Sequence, residues 1–137
     1  MRRVFLDANV LIYLIEGVSP ASESARKFVE ECQNRGDRLF TSALAIGEVL
    51  VKPTKDADVD LLRRYRAFFE SPAIEVVTFG SSSAAVFAQL RAVGIKAPDA
   101  IHLSCASVAN IDLFVTNDQR LSRQVVPGVL QIRSLDL

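Results

Sequence analysis

The stretch 2-RRVFLDANVLIYL-14 decides how this chain is read. Its first half, β-branched and aromatic, suits a buried strand over 2–7. Its second half carries apolar residues at helical spacing as far as Gly17. Asp7 stands at the junction, with Asn9 two positions on. Burying a carboxylate without a partner costs several kcal/mol, roughly what two neighbouring leucines contribute by their own burial. A strand ending in such a residue therefore calls for something that meets the carboxylate.

Working outward, the same order of strand and helix recurs. Residues 22–36 form an amphipathic pattern, with Ser22 as the expected N-cap, Ala25, Phe28, Val29 and Cys32 along one stripe, and Gly36 as the stop. A short strand is expected over 38–42, and a helix over 43–52 that Pro53 ends. Over 56–71, Val59, Leu62, Tyr65, Ala67 and Phe69 fall on one side of a helix, with Arg63, Arg64 and Arg66 on the solvated side. Strand 73–79, a serine-capped helix 81–94, a helix 98–110 opened by Pro98, strand 111–118, a helical turn 119–123 and a fifth strand 129–135 complete the reading. Alternating strands and helices imply a mainly parallel sheet with right-handed crossovers and helices on both faces. The expected fold is a three-layer α/β/α sandwich, one domain over 1–137, with ligands beyond the carboxyl ends of the strands.

Bulk composition narrows the function classes. At 137 residues, half of them hydrophobic, the chain has enough material for one core. Sixteen basic and sixteen acidic residues leave no net charge, so no bulk field attracts nucleic acid or membrane, and any polyanion site must be local. Cys32 and Cys105 have no paired spacing and read as free buried thiols, which suits a reducing compartment. Arg2 and Arg3 before an apolar run, then 16-EGVSPASESA-25, imitate a secretory signal. Asp7 opposes that reading, because an acid centred in an inserting segment costs about 2.5–3.5 kcal/mol. The run is also too short to span a bilayer, and a cytoplasmic location is expected.

Four acids stand out by position. Asp7 closes the first strand, Asp118 follows the fourth, Asp99 lies in the first turn of the helix after Pro98, and Glu48 lies in a nearly all-apolar helix. Singly, each has a structural reading: dipole complement for Asp99, cap for Asp118, exposed helix face for Glu48. Together they can converge on one cleft, where their repulsion requires a cation or bound protons. Carboxylates without organised His or Cys companions favour Mg²⁺ or Mn²⁺, and such a site suits phosphodiester hydrolysis by metal-activated water.

The segments 4-VFLDANVLIYL-14, 42-SALAIGEVL-50, 97-APDAIHLSCA-106 and 113-LFVTNDQRL-121 resemble, in order, the four acidic motifs of PIN-domain ribonucleases, especially VapC-type toxins of toxin/antitoxin pairs. The resemblance spans essentially the whole chain. It implies a PIN α/β/α sandwich in which Asp7, Glu48, Asp99 and Asp118 match the acidic metal-binding and catalytic positions. It further implies Mg²⁺- or Mn²⁺-dependent RNA cleavage, a homodimer, and silencing by an antitoxin segment over the cleft, with no membrane partner. Thr116 matches a polar position beside the fourth acid.

Other residues carry less. His102, three positions after Asp99, reads as a packed, hydrogen-bonded histidine more readily than as a base. Asn9 either caps the first helix or orients Asp7. Arg91, Lys96, Arg120 and Arg123 are the candidate phosphate contacts, each also readable as an ordinary solvated charge. Two rival functions stay open. One is phosphoryl transfer through an aspartyl intermediate, which generally wants a second acid where Asn9 stands. The other is a non-catalytic module binding RNA or protein.

Overall fold

The structure, a computed structural model, describes residues 1–135. In chain order its elements are β1 (Arg3–Leu6), α1 (Ala8–Ile15), α2 (Pro20–Asn34), β2 (Arg38–Ser42), α3 (Ala43–Lys55), α4 (Val59–Glu70), β3 (Glu75–Val77), α5 (Ala84–Ala92), α6 (Ala97–Val108), β4 (Ile111–Thr116) and β5 (Val129–Ser134). Single 3₁₀ turns occupy Ser81–Ser83 and Leu121–Arg123. The strands form one sheet in the order β3-β2-β1-β4-β5, and every pairing is parallel. Because all strands point the same way, their carboxyl ends share one edge.

The central strand explains why the opening run is apolar throughout. Val4 is registered with Leu39 and Leu113, and Phe5 with Phe40 and Phe114. Side chains alternate across the pleat, so Val4 and Leu6 enter one core and Phe5 the other. The first core packs β1 against Val10, Leu11, Ala25, Phe28, Val49 and Tyr65 of α1 to α4. The second packs Phe5, Phe40 and Phe114 against Leu90, Leu103 and Ala106 of α5 and α6. Phe5 and Phe114 stack with ring centroids 4.8 Å apart. Cys32 and Cys105 are free and buried in the two cores, as expected.

Several local expectations are corrected. Pro53 does not end its helix, because α3 continues to Lys55 with the proline buried. The ring lacks one helical hydrogen bond, and its burial offsets that loss. Ser22 does not cap α2. Ser19 does, accepting from the Ser22 amide, and Pro20 opens the first turn while the Ser22 hydroxyl donates to the Glu16 carbonyl. The helix after 81 begins as a 3₁₀ turn without a side-chain cap. On α4, Val59 and Ala67 are exposed, while Leu61, Tyr65, Phe68 and Phe69 face the core. β3 is only three residues long and partly exposed, as befits an edge strand.

The amino ends of the strands are tied by Asp37, whose side chain is 1% exposed. Its carboxylate accepts from the Arg2 backbone amide at 2.7 Å and from Arg2 Nε at 3.2 Å. Burial alone would raise the Asp37 pKa, but the bonds from Arg2 and the charges of Arg2 and Arg35 outweigh it and hold the group below its ordinary 3.8. A depressed folded pKa stabilises the fold above the unfolded value, and this contribution is lost as pH falls through the lower folded value. Asp37→Asn should therefore melt lower than wild type at pH 7, with the gap closing as melting curves are taken at successively lower pH below about 4.

At Gly128 the backbone has φ +80°, and an added Cβ would meet the Ser107 carbonyl oxygen at 2.6 Å. Gly36 shares the left-handed conformation at φ +74° with open space around it. Gly36→Ala should cost about 1 kcal/mol, and Gly128→Ala at least about 2 kcal/mol, in denaturant unfolding.

Candidate active site

Asp7 directly follows β1, the middle strand, and its amide extends the ladder by donating to the Val115 carbonyl of β4. The residue is 6% exposed, and each carboxylate oxygen accepts a hydrogen bond. Oδ1 accepts from the Ala8 amide, which makes Asp7 the N-cap of α1, and Oδ2 accepts from the Thr116 hydroxyl at 2.8 Å. Thr116 Oγ1 in turn accepts from the Asp118 amide at 3.0 Å. One buried threonine thus fastens the first acid to the backbone of the fourth. Asn9 does not cap α1; it lies exposed within the helix.

Glu48 lies on α3 with its side chain 37% exposed, and it is held from the protein side. His102 Nε2 contacts Glu48 Oε1 at 2.7 Å, and His102 Nδ1 contacts Ser42 Oγ at 2.7 Å. Ser42 is the last residue of β2 and the N-cap of α3, accepting from the Ala45 amide at 3.0 Å. His102 Nε2 also lies 3.9 Å from Asp7 Oδ1, so the carboxylates of Asp7 and Glu48 flank one ring nitrogen. His102 is 2% exposed and packs beside Phe5, consistent with the packed, bonded reading of this residue.

Asp118 lies two residues beyond β4 and is half-buried. Its oxygens accept from the Arg120 backbone amide at 2.9 Å and from Nε and Nη2 of the same residue. The Arg120 side chain is the main reason its pKa falls below 3.8, with burial acting in the opposite direction. Asp99, in the first turn of α6, behaves oppositely. Its pKa is raised, first by burial and then by the negative charges of Asp7, Asp118 and Glu48, with His102 acting the other way. All three other acids are near enough to act on Asp99. The sequence-selected set therefore gathers at one edge of the sheet.

Asp99 and Asp118 also line an open cleft of about 200 Å³ with Lys96, Arg120, Leu121 and Gln124. Arg123 is exposed on the following 3₁₀ turn, and Arg91 donates to the Ile95 carbonyl. Among the described residues, no group of three or more His, Cys, Asp or Glu side chains stands close enough together to hold a metal ion. The donor chemistry nonetheless suits a hard cation, since the acids that act on Asp99 are all oxygen donors with no thiolate among them, and burial and like charge disfavour ionised Asp99. Ser42 was missed in the sequence, where it read only as the end of a strand. Its polar character at the start of an apolar helix signals a cap and nothing of the histidine.

The raised Asp99 pKa carries a stability cost with a definite sign. The folded state holds the Asp99 proton more tightly than the unfolded chain, so the charged form destabilises the fold at neutral pH, and the cost disappears as pH falls to the unfolded value near 3.8. In chelator at pH 7, Asp99→Asn should melt a few degrees above wild type, and the difference should vanish by about pH 4.

Residues 4–126 match the PIN domain family. A curated relative, Ribonuclease VapC23 of Mycobacterium tuberculosis, is 29% identical over 123 residues, covering 87% of this chain and 95% of its own. Among solved structures, VapBC2 from Rickettsia felis, bound to a DNA fragment from its promoter, superposes with a TM-score of 0.77 at 17% identity, covering 96% of this chain and 98% of that one. A toxin-antitoxin complex from Klebsiella pneumoniae superposes at 0.70 with 23% identity, covering 92% and 94%. At these identities the structural likeness speaks for the fold alone, and it is the fold described above. With the family match running over nearly the whole length and all five strands in parallel register, this chain belongs to the PIN-domain family.

Proposed function

We propose that this chain is a Mg²⁺- or Mn²⁺-dependent endoribonuclease that hydrolyses RNA phosphodiester bonds, and that it acts in the cytoplasm as the toxin of a toxin/antitoxin pair. The observation that carries the reading is the electrostatic position of Asp99, raised by burial and by the charges of Asp7, Asp118 and Glu48 together. A cleft lined by Asp99 and Asp118 at the carboxyl edge of a parallel sheet, within electrostatic reach of Asp7 and Glu48, is suited to a divalent ion that neutralises them. The ribonuclease named among the relatives and the toxin-antitoxin complex among the structural neighbours agree with this reading.

Asp7, Glu48, Asp99 and Asp118 would hold the ion. When bound, such an ion lowers the pKa of a water and offsets charge developing at phosphorus. The chain's own side chains do the rest. Thr116 keeps Asp7 Oδ2 aimed beside Asp118, and the Ala8 amide holds Oδ1 at the N-terminus of α1. Lys96 and Arg120, on the wall of the cleft next to Asp99 and Asp118, are placed to meet backbone phosphates of RNA, with Arg91 and Arg123 farther out. Arg120 engages Asp118 through its side chain, so phosphate binding and the charge state of Asp118 are coupled. The buried His102 serves no base role toward water. A homodimer and an antitoxin segment laid over the acidic cleft complete the proposal.

The test uses cells, because a toxin that cuts one structured RNA ignores generic substrate. Wild type, Asp7→Ala and Asp99→Asn are expressed and new RNA 5′ ends are mapped. Wild type should create discrete ends that are at least about 100-fold rarer in both variants. Ends shared by all three would remove the catalytic assignment. A protein that creates no ends and binds no Mn²⁺ would be the non-catalytic module.

A further inference from the structure

We infer that His102 is a positioning residue for Glu48, and that with Ser42 it forms a buried relay setting the direction in which α3 presents that carboxylate to the cleft. The inference rests on Glu48 being a cation ligand. The relay joins three elements that no local sequence pattern connects: the end of β2, the inner face of α6 and the second turn of α3.

Its hydrogen-bond directions follow from what each group is able to do. A carboxylate only accepts, so the 2.7 Å contact to Glu48 Oε1 puts a proton on His102 Nε2. A neutral ring then accepts at Nδ1, and the Ser42 hydroxyl is its donor at 2.7 Å. Ser42 Oγ keeps its acceptor capacity for the Ala45 amide, so the same atom caps α3 and orients the ring. Every polar atom of the relay is satisfied, and Ser42 and His102 are 0% and 2% exposed, so the ring cannot turn without leaving a buried donor unmet. Glu48 is the opposite case. It is a long side chain, 37% exposed, which free in solvent would sample many rotamers. Anchoring Oε1 removes most of that freedom and leaves Oε2 as the oxygen for a cation.

Asp7 shows why such an anchor is needed. Its carboxylate is fixed by the Ala8 amide and Thr116 at the end of a strand, whereas Glu48, among the described residues, is held by its helix and this ring. Because His102 Nε2 stands 3.9 Å from Asp7 Oδ1, the ring also spaces the two acids while offering its N–H between them.

The test reads Mn²⁺ affinity of the purified full chain by electron paramagnetic resonance of free Mn²⁺, beside melting curves. Glu48→Gln should weaken binding at least about tenfold, and His102→Leu about tenfold, as loss of a ligand's supporting hydrogen bond does. His102→Gln should stay within about threefold of wild type, because its amide restores an N–H where Nε2 stood. Where His102→Leu does not fold, His102→Asn takes its place, since its shorter amide reaches only toward Ser42. In metal-free wild type, nitrogen chemical shifts should show the ring protonated at Nε2. Wild-type Mn²⁺ affinity in His102→Leu or His102→Asn with weakened binding in Glu48→Gln would overturn the relay alone, as would a ring protonated only at Nδ1. Unchanged binding in Glu48→Gln would overturn the reading of Glu48 as a cation ligand, and the relay with it.

Discussion

Asp7 imposes the condition that the rest of the structure has to meet. It ends the middle strand of a sheet covered on both faces, where an unpartnered carboxylate costs several kcal/mol. The protein answers with two donors, the Ala8 amide at the start of α1 and the Thr116 hydroxyl at the end of β4. Each donor exists because an element begins or ends there. The strand-to-helix turn and the β1–β4 pairing are therefore parts of the site as much as parts of the fold.

The remaining acids are held by the same economy of means. Asp118 receives three bonds from Arg120, and Glu48 is reached by His102. Asp99 alone has its ionised form opposed, by burial and by the other carboxylates. Asp99 thus stands within reach of three partnered acids whose negative charges oppose its own ionisation. The neutral total charge of the protein says nothing of this local excess. Opposite the cleft, at the amino ends of the strands, Asp37 and Arg2 pair fully. The opposed carboxylate, Asp99, lies toward the edge at which parallel α/β folds bind ligands.

Much of the fold was legible because periodicity reports burial directly. A run apolar at every position, as in Val4, Phe5 and Leu6, is diagnostic of a strand covered on both faces, and its companions at 38–42 and 111–116 share the character. Boundaries were less legible where a residue type has two uses. Pro53 reads as a helix stop because its amide is missing, yet its buried position in α3 offsets the lost bond. Ser22 and Ser19 are equally good caps in isolation, and Pro20 between them fits only the helix that Ser19 begins. On α4 the apolar spacing was too loose to fix the buried face, which the core takes from Leu61, Tyr65, Phe68 and Phe69, leaving Val59 and Ala67 exposed.

What the sequence by itself determined was the order of the elements and the placing of acids at strand ends and within an apolar helix, because hydrophobic spacing and strand-end position are local properties of the chain. The tertiary structure alone decided which donors those acids meet. Thr116 and Asp7 are 109 residues apart, and His102 is 54 from Glu48 and 60 from Ser42. Hydrogen bonds act over about 3 Å, and only the crossover that lays β4 beside β1 and α6 beside α3 brings such distant residues within that range.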